Sequence, residues 1–142
     1  GLPRFTVMQP ELNLLDRGQY QGALQDLCVA EGLGVVTYFS LASGYLSGKY
    51  RSVDDIGQSA RGPRVKPYVE GKGPAMLAAL DTIAAETGAT LSQIALAWVA
   101  AQPGVTAPIA SATSVAQLDE IMGSEDVVLR EEQLAALTAA GA

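Results

Sequence analysis

Residues 5–38 read FTVMQPELNLLDRGQYQGALQDLCVAEGLGVVTY, and this stretch decides the fold. Phe5–Met8, an apolar run after Pro3, reads as a buried strand. Gln19–Ala30 has helical periodicity, with Ala23, Leu27 and Ala30 on one face and Leu24 and Cys28 flanking it. Gly32 and Gly34 follow where a C-terminal cap favours positive φ. Val35–Tyr38, β-branched and aromatic, is a second strand. Strand, helix and strand in so short a span define a βαβ unit with a parallel sheet.

Beyond that unit, Ser40–Gly73 is rich in Gly, Ser and charge, and too long for a purely structural loop. Helix signals resume at Gly73-Pro74, with Met76, Leu77, Leu80, Ile83 and Ala84 as the apolar stripe and Gly88 as the stop. Thr90-Leu91-Ser92-Gln93 is a capping box for a helix whose body, Ile94–Ala101, is apolar nearly all round and therefore buried. Thr106–Ile109 is a third strand. Ser114-Val115-Ala116-Gln117 reads as a second capping box, opening a helix to Met122, and Glu131–Ala140 is the last helix. Three strands make a poor sheet alone, so the sheet is either small and open or part of a larger barrel.

Composition narrows the chemistry. The 142 residues include no histidine, which removes the usual general base and the commonest metal ligand. The single Cys28 excludes an internal disulfide or a multi-Cys zinc site, and reads as core. A formal charge of −6 argues against nucleic-acid partners. No apolar run reaches the roughly 18–20 residues that span a bilayer, so the expectation is a soluble cytoplasmic domain. The chain opens on Gly1 rather than methionine, as a cut or processed product would. Residues 1–142 read as one unit with no linker.

Charge is uneven. Lys49, Arg51, Arg61, Arg64, Lys66 and Lys72 lie in one window with Asp54, Asp55 and Glu70, a local excess of positive charge on an acidic chain. A basic loop after a parallel strand fits an anionic ligand at the strands' carboxyl ends, or else a solvated loop with neutralising charges.

Three segments carry a family resemblance. Gln9-Pro10-Glu11-Leu12-Asn13-Leu14-Leu15-Asp16-Arg17 resembles the Q-P-E-Y-N-L-L-D-R of aldo-keto reductases. Leu33 to Arg51 resembles their G-L-G-V-x-x-Y-S-P-L-A-S-G-x-L-x-G-K-Y-R, with Phe39-Ser40 in place of Ser-Pro. Pro108 to Leu118 resembles their P-x-x-G-A-T-S-x-x-Q-L, with Ser111 for Gly, and Ile121 stands further on for a frequent Asn. The likeness is greatest to the branch that includes potassium-channel β-subunits.

The resemblance implies an α/β fold that is a partial (β/α)₈ TIM barrel: a half-barrel of three parallel strands, the sixth to eighth, with flanking helices. It implies the NADP(H)-binding half of an oxidoreductase that reduces aldehydes or ketones. The family's catalytic Asp, Tyr, Lys and His come from the other half, so no catalytic residue is transferred and reductase activity is not expected of this chain alone.

By the same resemblance, Gln9 bonds the nicotinamide carboxamide and Tyr38 stacks on its ring. Ser40, Leu41, Ser43 and Gly44 wrap the pyrophosphate, Lys49 and Arg61 hold phosphate, and Ser111, Thr113, Gln117 and Glu120 meet the adenosine end. Gln117 is also explained by helix capping alone, and Gln9 and Tyr38 by a strand-end contact and the core. Glu11 and Asp16 read as turn and cap residues. Gly44-Tyr45-Leu46-Ser47-Gly48 is not the G-x-S-x-G elbow of hydrolases. Expected partners are NADP(H) and either a second copy, giving a dimer of half-barrels, or the missing half. The competing expectation is a non-catalytic module that oligomerises and binds nucleotide or protein.

Overall fold

A computed structural model describes residues 3–58 and 61–142. Gly1 lies outside them. Strands β1 (Val7–Met8), β2 (Gly34–Thr37) and β3 (Val105–Pro108) form a parallel sheet in the order β1-β2-β3. Val7 pairs with Gly34, and Met8 with Val35. Val35 pairs with Val105 and Val36 with Ala107, so the register slips at Thr106. The Thr106 hydroxyl fills the gap by accepting from the Val35 amide at 3.1 Å.

The helices are α1 (Ala23–Glu31), α2 (Gly62–Glu70), α3 (Gly73–Thr87), α4 (Leu91–Ala100), α5 (Val115–Met122) and α6 (Glu131–Ala140). Short 3₁₀ segments occupy Ala42–Ser47, Val53–Gln58 and Gly123–Asp126. The strands thus sit within a residue or two of their expected places, and the alternation matches an arc of a (β/α) barrel.

The two sheet faces differ. Val35 and Thr37 are buried, whereas Val36 is half-buried on the opposite face and Val7 is 54% exposed. The core lies on the first side, built on α4, where Ile94, Ala95, Leu96, Trp98 and Val99 are buried as its all-round apolarity requires. Trp98 Nε1 donates to the Thr138 hydroxyl at 3.1 Å, joining α4 to α6. Tyr20, fully buried, donates to the Pro103 carbonyl at 2.7 Å. Gly104 beside it has φ +82°, and a Cβ there would come within 2.6 Å of the Tyr20 hydroxyl, so glycine is needed twice over.

Three expectations are corrected. Phe5–Met8 is not a buried strand: β1 is only Val7–Met8 at the edge of the sheet, and Phe5 and Val7 are 83% and 54% exposed. On α1 the buried edge is Leu24–Cys28, not Ala23–Leu27–Ala30; Leu27 is 53% exposed. The helix is apolar on adjacent stripes, and its first turn begins only at Ala23 after Gly22 at φ +96°, which sets its rotation. The Ser40–Gly73 stretch is not all loop, because α2 runs through Pro63 and Pro67. Burial of Val65 and Val69, one turn apart, and the Tyr68 ring against Tyr45 (centroids 5.6 Å apart) override the helix-breaking proline.

Candidate functional site

The segment after β2 makes a turn of unusual backbone. Phe39, Ala42 and Ser43 have positive φ values of 54°, 49° and 57° without being glycine. Each such residue costs ~1–2 kcal/mol, so the surrounding structure must hold the turn. Asn13 does so from the loop after β1. Its side-chain oxygen accepts from the Leu15 and Asp16 amides at 2.9 and 2.8 Å, closing its own loop. Its amide nitrogen donates to the Phe39 carbonyl at 3.2 Å, and the Ala42 amide reaches that carbonyl at 2.7 Å. Ser40 is buried, its hydroxyl bonded to the Thr37 hydroxyl (3.1 Å) and carbonyl (3.2 Å). The inward Ser40 leaves Phe39 outward, 46% exposed.

This turn forms one wall of an open cleft of about 660 Å³ at the carboxyl end of the sheet, a volume in the usual range of small-molecule sites. Tyr38, Phe39, Ser40, Leu41, Ser43, Gly44, Ser47 and Lys49 line that wall. The opposite wall runs from Ile109 after β3 to Ile121 on α5, and includes Ser111, Thr113, Gln117 and Glu120. Arg61 and Arg64, at the start of α2, and Ser92 on α4 complete the lining. Every sequence-predicted site residue except Gln9 therefore borders one cavity. Gln9, just past β1, is exposed and does not line it.

Individual contacts refine the picture. Gly44, at φ +92°, leaves room for Lys49, whose ammonium would lie 3.4 Å from a Cβ there and sits 5.0 Å from the Tyr50 ring centre. The amides of Ala42, Gly44 and Leu46 bond carbonyls within the turn, so those N–H groups point inward. Gln117 departs from a full capping box. Ser114 caps α5 at the Gln117 amide, but the Gln117 side-chain oxygen bonds Thr113, at 2.8 Å to its amide and 2.9 Å to its hydroxyl. Glu120 accepts from the Thr90 hydroxyl at 2.9 Å, which ties α5 to the cap of α4. The Thr90 box itself is complete.

The carboxylates near β1 bond side chains of neighbouring segments rather than capping a helix. Glu11 accepts from Gln19 at 2.9 Å, and burial, then the Asp16 charge, pushes its carboxyl above the usual range. Asp16 accepts from the Tyr68 hydroxyl at 2.6 Å, anchoring α2 to the β1 loop; burial first, and then Asp16, pushes that phenol well above the usual tyrosine range. Among the described residues no cluster of His, Cys, Asp and Glu could hold a metal, and no helix is long and apolar enough to cross a membrane.

Sequence reasoning missed the positioning role of Asn13, whose signal is a polar residue between Leu12 and Leu14, all three fully buried. It also missed Ser92, which only the packing of α4 brings to the cleft.

An arc of parallel strands and helices with a cationic cleft at its carboxyl edge is part of a (β/α) barrel of the ligand-binding kind. The sequence model of the Aldo/keto reductase family matches residues 1–142, and the chain belongs to that family. It is 32% identical over 132 residues to a probable voltage-gated potassium channel subunit beta of Arabidopsis thaliana, covering 86% of this chain and 39% of the relative. To L-glyceraldehyde 3-phosphate reductase of Escherichia coli O157:H7 it is 30% identical over 138 residues, covering 91% and 39%. The crystal structure of a thermostable aldo-keto reductase in complex with the inhibitor epalrestat superposes with a TM-score of 0.70 at 27% identity, over 95% of this chain and 39% of that one. The chain thus spans about 39% of the length of these relatives.

Proposed function

We propose that the cleft is the nicotinamide-dinucleotide site of an aldo-keto reductase, with NADP(H) as the ligand, and that this chain is the cofactor-binding part of an enzyme reducing aldehydes or ketones. The observation that supports the reading best is that two distant segments resembling the family's cofactor motifs face each other across one cleft with Lys49, Arg61 and Arg64 at its edge. The donor set fits the group: cations for phosphates, a half-buried aromatic ring at Tyr38, and short side chains at Ser43, Gly44 and Ser111. When bound, a reduced nicotinamide supplies hydride.

In this reading Lys49 and Arg61 bind phosphate, and Tyr38 orients the ring from its strand end. Leu41 and Ser43 follow the diphosphate, and Gly44, whose amide is held within the turn, allows it close approach by lacking a side chain, since the Ser40 hydroxyl is held by Thr37. Ser111, Thr113, Gln117 and Glu120 take the adenosine end. Gln9 joins the site only from outside the described cleft. By the family resemblance the general acid for the carbonyl oxygen comes from the other half of the barrel, so in this reading the chain alone turns over no aldehyde; lacking that group costs ~10²–10⁴-fold in rate. The reading makes this a cytoplasmic protein, consistent with one buried thiol and no need of an oxidising compartment. It assembles with a second copy or with the missing barrel half.

Calorimetric titration of NADPH and NADH into wild type and Arg61→Ala tests the reading. Charge-assisted phosphate contacts are worth about 1.5–3 kcal/mol, so Arg61→Ala weakens NADPH by about 10- to 150-fold. It weakens NADH less if Arg61 meets the 2′-phosphate. Wild type that binds neither cofactor at millimolar concentration favours the second reading, a half-barrel module without a cofactor site.

A further inference from the structure

The ring of Phe39 is in an unexpected place. A large apolar side chain, 46% exposed, borders a cleft whose lining mixes the cations and hydroxyls with Leu41, Ile109, Ile121 and Glu120. Its backbone is in the left-handed region at φ +54°, which suits Gly or Asn far better than an aromatic residue. The conformation is enforced from outside, by Asn13 and the Ala42 amide on the Phe39 carbonyl and by the burial of the next residue, Ser40.

The Phe39 ring also does not lie alone. It meets Tyr38 edge-on, centroids 5.1 Å apart and planes at 66°, so the two rings form a corner at the strand end of the cleft. A corner of this kind offers one face and one edge to a flat ring or to the apolar side of a sugar. It has no hydrogen-bond donor at the Phe39 arm, so it cannot recognise phosphate. The cations lie elsewhere on the lining, at Lys49, Arg61 and Arg64.

We propose that Phe39 is a specificity-determining residue of the cleft, packing its ring against the flat nicotinamide–ribose end of the dinucleotide and dividing an aromatic end of the site from a phosphate end. This rests on the dinucleotide reading above, and it adds a residue that the family motif, with Ser at this position, does not supply.

The test compares NADPH with adenosine 2′,5′-bisphosphate, which carries only the adenosine and phosphate end, by calorimetric titration into wild type, Phe39→Ala and Phe39→Leu, with circular dichroism to check folding. Phe39→Ala is expected to weaken NADPH by about 3- to 10-fold and to leave the bisphosphate unchanged, with Phe39→Leu between wild type and Phe39→Ala. A purely structural role for Phe39 would move both ligands together, and that result overturns the proposal. So does NADPH binding that is unchanged or tighter in Phe39→Ala. If wild type binds neither ligand, the dinucleotide reading itself fails and the role of Phe39 fails with it; if wild type binds the bisphosphate as tightly as NADPH, the reading of the phosphate end stands and the Phe39 proposal falls alone.

Discussion

Asn13 shows how a single side chain carries information between distant parts of the chain. It is fully buried, closes its own loop with one oxygen and holds the strained Phe39 carbonyl with its amide. Removing it leaves buried amides and a carbonyl without that partner, at about 1–3 kcal/mol. Asn13→Ala should therefore lower the urea midpoint by that amount and weaken NADPH as well, because the turn at Phe39–Gly44 relaxes. Asn13→Asp keeps the acceptor but loses the donor to Phe39 and to Asp16 and buries a second carboxyl beside Asp16, so it should be no more stable than Asn13→Ala. An Asn13→Asp protein as stable as wild type contradicts the role. None of this was legible in the sequence, where Asn13 is one letter of a family-like motif. Lys49 and Arg61 were legible, because a cluster of cations on an acidic chain is visible in the sequence alone.

Among elements, those with strong periodicity or caps lie where the sequence puts them. α4 follows its capping box, α3 ends at Gly88 with φ +73°, and α6 keeps its expected bounds. Elements set by tertiary contact were not legible: α2, whose interior Pro67 argues against a helix, and the rotation of α1, whose two apolar stripes are equivalent until packing chooses. The cleft was legible as two motif segments, yet the sequence gives no sign that Glu120 is already bonded to Thr90 or that Ser40 turns inward.

The Tyr68–Asp16 bond yields the pH prediction at this scale. Burial raises the Tyr68 phenol above its ordinary 10.0, with Asp16 adding to it, so the folded state favours the neutral ring. Its contribution is fully present below pH 10 and is lost as pH rises toward the folded value. Burial shifts Tyr20 and Tyr45 in the same direction. Stability to urea should therefore fall as pH rises from 9 to 11, and Tyr68→Phe, about 1–2 kcal/mol less stable at neutral pH, should fall less steeply. Parallel curves for the two proteins would contradict the assignment.

At the scale of the molecule, one sheet face is only partly covered by the described residues. Phe5 is 83% exposed and Val7 54%, and β1 and β3 each have one edge unpaired within the sheet. On α5 Val115, Leu118 and Met122 share a face and are exposed, Val115 at 74%. Apolar surface and open parallel edges of this kind favour pairing with another chain or another segment. The isolated chain should sediment as a dimer or larger species at micromolar concentration, and a well-folded monomer would contradict this.

The central claim is that the two walls of the cleft bind one dinucleotide. Hydrogen–deuterium exchange with and without saturating NADPH reads both walls in one experiment. The account predicts slowed exchange in the Phe39–Lys49 turn and, together with it, in the Ser111–Glu120 segment, with α3 and α6 unchanged. Protection confined to one wall, or none at a concentration where the nucleotide is bound, would contradict it.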